Sequence, residues 1–380
     1  MPVRATIVSL GMVTAAVPVI LVSLLARRTR VLASDGATEI PFTVDLQRSL
    51  ARGLLSILPL ETIRQFFKAR PVKFIKKSNR FGPFKDQLCI PVSNSSCNGY
   101  WICQGPPGCP QTPQESDIVL LWFHGGAYCF GDPLGPAVNL LRVAEIAAAR
   151  GVSMSIFSVE YTLAPAATFP SQQREAVAAY LYLLQNQGIP AKKIIMAGES
   201  AGGHLLLSCL MGPPETGLAR PKGALLLYPW VNLTNHSPTF ESNQHKDVLS
   251  KRLLDRCVES AIGERGRVDA LNLENLLKQW KPGTEKSWKE ILPAYTWVNV
   301  GSHDVLLHDV QTFVEKARAD GARLDLEIAD KQPHAWNFSV DNRWVELFCK
   351  LKPGDRVPVG MMPGSAAIAE GLFIVLYEGM

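Results

Sequence analysis

From Ile118 to Leu351 the chain alternates short apolar runs with longer segments of helical period, and few architectures accept that rhythm. A strand that is apolar throughout must be covered on both faces, which a parallel sheet with helices on either side achieves. The strand runs are IVLLWF (118–123), MSIFSV (154–159), KIIMAG (193–198), ALLLYP (224–229), YTWVNV (295–300) and RLDLEI (323–328), each followed by turn residues. The pattern predicts helices over 137–149, 171–187, 201–211, 305–319 and 336–351, the second starting directly after Pro170, as helix starts often do. The expected fold class is α/β, with a mostly parallel central sheet and helices on both faces. At 380 residues and 47% hydrophobic the chain can bury a large core. Because the motifs below spread over most of it, one large domain is expected rather than two small ones.

Two segments break the rhythm. Residues 43–69 are helical in pattern with an interruption at Pro59, and residues 232–293 are a long insertion with helices expected around 250–262 and 271–280. Both could fold together as a lid. The tail beyond Pro353 is rich in Gly and Pro and then apolar over 366–377, and a loosely docked tail is expected.

Residues 7–25 (IVSLGMVTAAVPVILVSLL) are an uncharged apolar run between Arg4 and the basic ARRTR at 26–30. As a helix rising about 1.5 Å per residue, the run nearly crosses a hydrocarbon core of roughly 30 Å. A cleaved signal peptide and a buried helix kinked at Pro18 are the competing readings. The run is long for a signal sequence, and Leu24, Leu25 and Ala26 offer a poor small-x-small cleavage site. The expectation is an uncleaved membrane anchor over 1–30, an α/β domain over 31–350 with lid segments 35–70 and 232–293, and a tail over 351–380.

The formal charge of +5 comes from scattered Lys and Arg without interleaved aromatics, which argues against a nucleic-acid partner. Cys89, Cys97, Cys103 and Cys109 fall in one loop-rich stretch, whereas Cys129, Cys209, Cys257 and Cys349 sit in apolar surroundings typical of buried thiols. The first four could pair in an oxidising compartment. Their spacing lacks the paired C-x2-C knuckles that structural zinc favours, so neither metal nor cofactor is expected.

Gly198-Glu199-Ser200-Ala201-Gly202 reads G-x-S-x-G between an expected strand and an expected helix, the context of a nucleophile elbow. Outside that context the pentapeptide is a common glycine turn. His124-Gly125-Gly126-Ala127 follows the first parallel strand. Acyl transfer creates an oxyanion, and backbone N–H groups of a glycine-rich loop can point at it unobstructed. The amides of Gly125, Gly126 and Ala201 are the expected donors. The His124 imidazole reads as scaffold bonded within its own loop, because the base in this chain order comes last.

The expected order is Ser, then acid, then His, each at the carboxyl end of a strand. Asp304 lies just past the fifth strand run and His334 just past the sixth, which makes Ser200, Asp304 and His334 the candidate triad. Among rivals, Asp309 lies inside the following helix, Asp330 is too near His334 along the chain, and Glu199 points elsewhere on the elbow. His204, His236, His245, His303 and His308 read as packed or solvated.

These residues resemble the hormone-sensitive lipase family of α/β-hydrolases, near the arylacetamide and steryl-acetate deacetylase type. The resemblance rests on HGGA (124–127), GESAGG (198–203), YTLAP (161–165) with Phe169-Pro170, YPW (228–230), GSHD (301–304) and His334 in that order. Ala127 stands where the family usually has a third glycine, and Ala166 where it has an acidic residue. The resemblance implies an α/β-hydrolase fold with a helical cap from the two off-rhythm segments. It implies hydrolysis of short, acetyl-like esters of hydrophobic small molecules, and a lumenal domain anchored at the endoplasmic reticulum. Lactone, amide or carbamate cleavage and acyl transfer need the same parts. A receptor that has lost its histidine base, or an interaction module that has lost its serine, is disfavoured by the presence of His334 and Ser200. The sequons at Asn94, Asn232, Asn235 and Asn337 also favour a lumenal domain, whereas Arg27, Arg28 and Arg30 slightly favour the cytosol.

Overall fold

The computed structural model describes residues 2–33, 39–68, 71–94, 97–212, 218–263, 273 and 287–379. Four helices open the chain: α1 (Pro2–Ala33), α2 (Phe42–Ile57), α3 (Leu60–Phe67) and α4 (Pro71–Lys77). A hairpin of β1 (Ile90–Ser93) and β2 (Asn98–Cys103) follows. Then come β3 (Ile118–Phe123), α5 (Ala137–Ala149), β4 (Met154–Val159), α6 (Ser171–Leu181), β5 (Ile194–Glu199), α7 (Ala201–Met211) and β6 (Gly223–Leu227). The chain closes with α8 (Lys251–Ile262), β7 (Thr296–Gly301), α9 (Leu307–Ala319), β8 (Leu324–Ala329), α10 (Trp336–Lys350) and α11 (Pro363–Glu378).

The sheet order is β1-β2-β4-β3-β5-β6-β7-β8, parallel from β4 to β8 and antiparallel only at the β1–β2–β4 edge. Every residue of β3, β4, β6 and β7 is buried, the continuous apolar run that a doubly covered parallel strand requires. From β3 the chain moves outward to β4 and then returns to β5 on the other side. That reversal opens a crevice beyond the carboxyl ends of β3 and β5, where such sheets place their ligands.

The β1–β2 hairpin has no clear signal in the sequence: β1 is four residues long, contains Pro91 and leaves three of its positions exposed. Cys89, Cys97 and Cys103 belong to this hairpin and Cys109 to an exposed loop, and all four thiols are free, in contrast to the disulfides considered above. The expected helix over 171–187 ends at Leu181 and continues as one wide turn over Tyr182–Asn186. The helix expected over 271–280 lies outside the described residues, apart from Leu273.

The tail departs most from expectation. It is not loosely docked: α11 buries Ile368, Leu372, Phe373 and Val375 and packs against α5, α10, β6 and β7. At its start the Asp341 carboxylate accepts from the N–H groups of Gly364 and Ser365 and from the Ser365 hydroxyl. Burial of each such large apolar side chain contributes about 1.5–3 kcal/mol, so this tail is part of the core.

The two off-rhythm segments are joined by hydrogen bonds. Arg48 of α2 donates to the carbonyl of Lys246, and Arg52 to that of Asp247. Arg256 of α8 returns two bonds to the carbonyls of Ser56 and Leu58. The first helix lies along α2, with Arg27 and Arg28 both paired to the buried Asp45 carboxylate.

Candidate active site

Where β5 ends, the chain turns sharply into α7. Ser200 occupies the turn at φ 52° and ψ −120°, a conformation costly for a residue with a Cβ. The turn is held from below: the Ser200 N–H donates to the Leu227 carbonyl at 2.9 Å, and the Ser200 carbonyl accepts from the Trp230 N–H at 3.0 Å. Glycine is required on both flanks. A Cβ at Gly198 would collide with the Gly202 carbonyl, and one at Gly202 with the carbonyls of Phe123 and His124. The G-x-S-x-G spacing thus follows from packing an elbow against the end of β3.

Asp304, wholly buried just past β7, and His334, buried past β8, converge on this serine. His334 Nδ1 lies 2.8 Å from Asp304 Oδ2, and its Nε2 lies 2.9 Å from Ser200 Oγ. A proton on Nδ1, donated to the carboxylate, leaves Nε2 as acceptor for the serine hydroxyl. The other Asp304 oxygen accepts from the Leu306 N–H at 2.8 Å. Burial alone would lower the His334 pKa, but the Asp304 charge and hydrogen bond, with smaller contributions from Asp247 and Glu199, raise it above the ordinary histidine value. The Tyr228 ring stands edge-on to the imidazole at 4.8 Å.

The loop after β3 curls over the serine through Gly126 at φ 109°, Ala127 at 49° and Tyr128 at 62°. As expected, His124 is scaffold: its Nδ1 lies 2.7 Å from the Gly125 carbonyl, its ring stacks on Tyr161, and burial lowers its pKa to about 4. Tyr161, from the YTLAP motif, donates its hydroxyl proton to the His124 carbonyl. Arg64 of α3 donates to the carbonyls of Cys129 and Ala164, which braces the loop from outside.

One expected donor is diverted. The Gly125 N–H donates to Glu199 Oε1 at 3.2 Å, and Glu199 also accepts from the Tyr228 hydroxyl. The Glu199 carboxyl, raised by burial and partly restored by these bonds, thus serves the elbow and its neighbouring loop. Among the described residues no acceptor takes the N–H groups of Gly126, Ala127 or Ala201. Gly126 and Ala201 remain available as the sequence suggests. The Ala127 N–H, which was not among the expected donors, is open as well.

The rivals stand elsewhere. Asp309 Oδ1 accepts from Asn232, and Asp330 is exposed. His204 is buried with its Nδ1 at 2.6 Å from the Tyr128 hydroxyl, and His303 lies between Arg48 and Glu39. Asp247 was not anticipated. Its carboxylate, fully buried in the segment before α8, accepts from the backbone N–H groups of both Val305 and His334. A polar insertion residue carries no periodic signal, so only the tertiary contact reveals it.

Ser200 and His334 open into a cavity of about 300 Å³ walled by Leu55, Phe67, Phe130, Val248, Leu249 and Phe338. Among the described residues no group of His, Cys, Asp and Glu is placed to hold a metal ion.

A strained serine elbow at the switch point, a histidine bridging it to a buried aspartate, and free amides beside it define a hydrolase of the α/β class. A family model described as alpha/beta hydrolase fold matches residues 120–338, more than half of the chain, and the protein belongs to that family. It is an enzyme of that class, and it is similar to proteins named hormone-sensitive lipase. An acetyl-hydrolase of Streptomyces hygroscopicus is 23% identical over 255 residues, 65% of this chain and 75% of its own. The human arylacetamide deacetylase-like 2 is 29% identical over 141 residues, 35% of this chain and 34% of its own. The crystal structure of a hormone-sensitive lipase from a metagenome library superposes with a TM-score of 0.61 at 24% identity, covering 82% of this chain and 97% of that one.

Proposed function

We propose that this protein hydrolyses short-chain, acetyl-like esters of hydrophobic small molecules through an acyl-serine intermediate. The observation that carries the reading is the unbroken Asp304–His334–Ser200 chain of contacts at 2.8 and 2.9 Å. His334 Nε2 takes the Ser200 proton as Oγ bonds to the ester carbon. Asp304 holds the tautomer and stabilises the imidazolium, and the amides of Gly126, Ala127 and Ala201 receive the oxyanion. On collapse His334 gives the proton to the departing alkoxide. Water then attacks the acyl-serine by the same route in reverse. The cavity of about 300 Å³ lies at the low end of small-molecule sites and has largely apolar walls, which supports a short acyl group on a lipophilic alcohol. The similarity to an acetyl-hydrolase and a deacetylase-like protein supports the acyl preference.

Turnover of a p-nitrophenyl ester series tests this reading. We expect kcat/KM to be highest at acetyl to butyryl and to fall by about a hundred-fold at dodecanoyl, because a long chain exceeds the cavity. A fluorophosphonate should label Ser200, as read by peptide mapping. Absence of both hydrolysis and labelling would remove the enzyme assignment. Preferred turnover of an anilide or lactone would redirect the substrate class on the same machinery.

We further propose that α1 anchors the protein in the endoplasmic reticulum membrane with the α/β domain in the lumen. Among the described residues Gly11–Ala33 is the one helix long and apolar enough to cross a bilayer, and the exposed Val19, Val22 and Leu25 lie on it. Of the four sequons, Asn235 and Asn337 are wholly buried, and the Asn232 side chain donates to Asp309 and accepts from Thr234. Asn94 sits exposed in the turn between β1 and β2. Expressed in a eukaryotic cell, the full chain should show an endoglycosidase-sensitive mobility shift that Asn94→Gln alone abolishes. Protease digestion of the domain in sealed microsomes, with no glycan, places it in the cytosol instead.

A further inference from the structure

The structure assigns a second carboxylate to the machinery: we propose that Asp247 is a positioning residue that ties the insertion to the acid and base loops and supports the charge on His334. The inference rests on the esterase reading above and concerns the same site.

Asp247 lies in the insertion between β6 and β7, far in sequence from both residues it serves. Its Oδ2 accepts from the Val305 N–H at 2.8 Å, adjacent to Asp304, and its Oδ1 accepts from the His334 N–H at 2.9 Å and from the Val248 N–H at 2.6 Å. One side chain therefore fixes the backbone on either side of the Asp304–His334 contact. Its own segment is fixed in turn. The Asp247 N–H donates to the Asn243 carbonyl, and Asn243 Nδ2 donates to the carbonyls of Ser302 and Asp304. From α2, Arg52 donates to the Asp247 carbonyl and Arg48 to that of Lys246.

The position is expensive to occupy. Asp247 is fully buried, and burial together with the Asp304 charge raises its pKa to about 6, against the opposing pull of His334 and the two backbone amides. Arg48 and Arg52 are the cations of α2 that feel its charge. An isosteric loop would satisfy two amides with backbone carbonyls and avoid a second anion beside Asp304. What the carboxylate adds is negative charge near the imidazole, and its field is among those that raise the His334 pKa. During acylation His334 becomes cationic, so that charge stabilises the developing imidazolium while the amide contacts hold the ring toward Ser200. Two adjacent loop residues, Val248 and Leu249, line the cavity, so the same tie also connects the cavity wall to the base.

The sign of the pH effect follows. Hydrolysis requires neutral His334, so the acid limb of kcat/KM reports its pKa in the free enzyme. Removing the Asp247 charge lowers that pKa and moves the limb to lower pH.

The test uses the full chain and p-nitrophenyl acetate, with Asp247→Asn and Asp247→Glu compared with wild type. Asp247→Asn should move the acid limb down by about half to one pH unit and reduce kcat about ten- to a hundred-fold through misplacement of the base, with KM within about three-fold. Asp247→Glu keeps the charge while displacing the oxygens, and should retain the wild-type limb with reduced kcat. A purely structural staple would lower the unfolding temperature of both variants and leave the limb in place. An unmoved limb in a folded Asp247→Asn, or an equal shift in both variants, overturns the proposal. If Asp247→Asn does not fold by circular dichroism, Asp247→Glu decides: lowered kcat with KM and unfolding temperature near wild type supports the positioning role, and wild-type kcat, or a loss matched by a lowered unfolding temperature, rejects it. A wild-type protein that hydrolyses no ester would instead reject the esterase reading on which the test depends.

Discussion

Ser200→Ala should yield a folded protein whose ester turnover is lower by about five to six orders of magnitude. The mutation removes the proposed nucleophile, Oγ at 2.9 Å from His334 Nε2. It leaves the free amides and the cavity, so a residual rate above that in water should persist. The fold should tolerate the change. Alanine meets the same strain as serine at φ 52°, and one lost hydrogen bond is worth about 0.5–1.5 kcal/mol, against a usual net stability of about 5–15 kcal/mol. Steady-state turnover alongside a thermal melt checks both halves. Substantial hydrolysis by a folded, contaminant-free Ser200→Ala protein would rule out the serine mechanism.

Asp304→Asn should lower kcat by about four orders of magnitude with KM nearly unchanged. The carboxamide can turn its NH₂ toward His334 Nδ1. The ring then carries its proton on Nε2, where it faces Ser200 as a donor and cannot accept the hydroxyl proton. The Leu306 N–H can still donate to the remaining oxygen, so the loop should keep its shape. The control is Asp330→Asn, which alters an exposed turn and should stay within a few-fold of wild type. If Asp330→Asn proved the more damaging, Asp304 would not be the acid. In the proposed mechanism Ser200 and Asp304 act as one unit, so the double variant should be scarcely slower than Ser200→Ala alone.

The parallel strands were legible because each is buried on both faces and so is apolar throughout; β3 and β4 begin and end where the pattern places them. The antiparallel edge was hidden because β1 is short, exposed and interrupted by Pro91, which leaves neither alternation nor an apolar run. The final helix was hidden for the opposite reason. It is apolar on nearly every side, because α5, α10 and the sheet surround it, and a Gly- and Pro-rich lead disguises its start.

The chain order of Ser200, Asp304 and His334 after successive strands is a local property, and sequence alone placed all three at the carboxyl ends of their strands. Glycines around the elbow were likewise readable, since each marks a spot where backbone must approach backbone. Tertiary structure decided which amides are open and which carboxylates share the buried site. Gly125 looks identical to Gly126 as a letter, but Glu199 reaches only the first. Asp247 looks like any polar loop residue, but folding carries it beneath the backbone of His334. Hydrogen-bond satisfaction and desolvation are set by everything that packs around a group, and those neighbours come from segments that no local pattern connects.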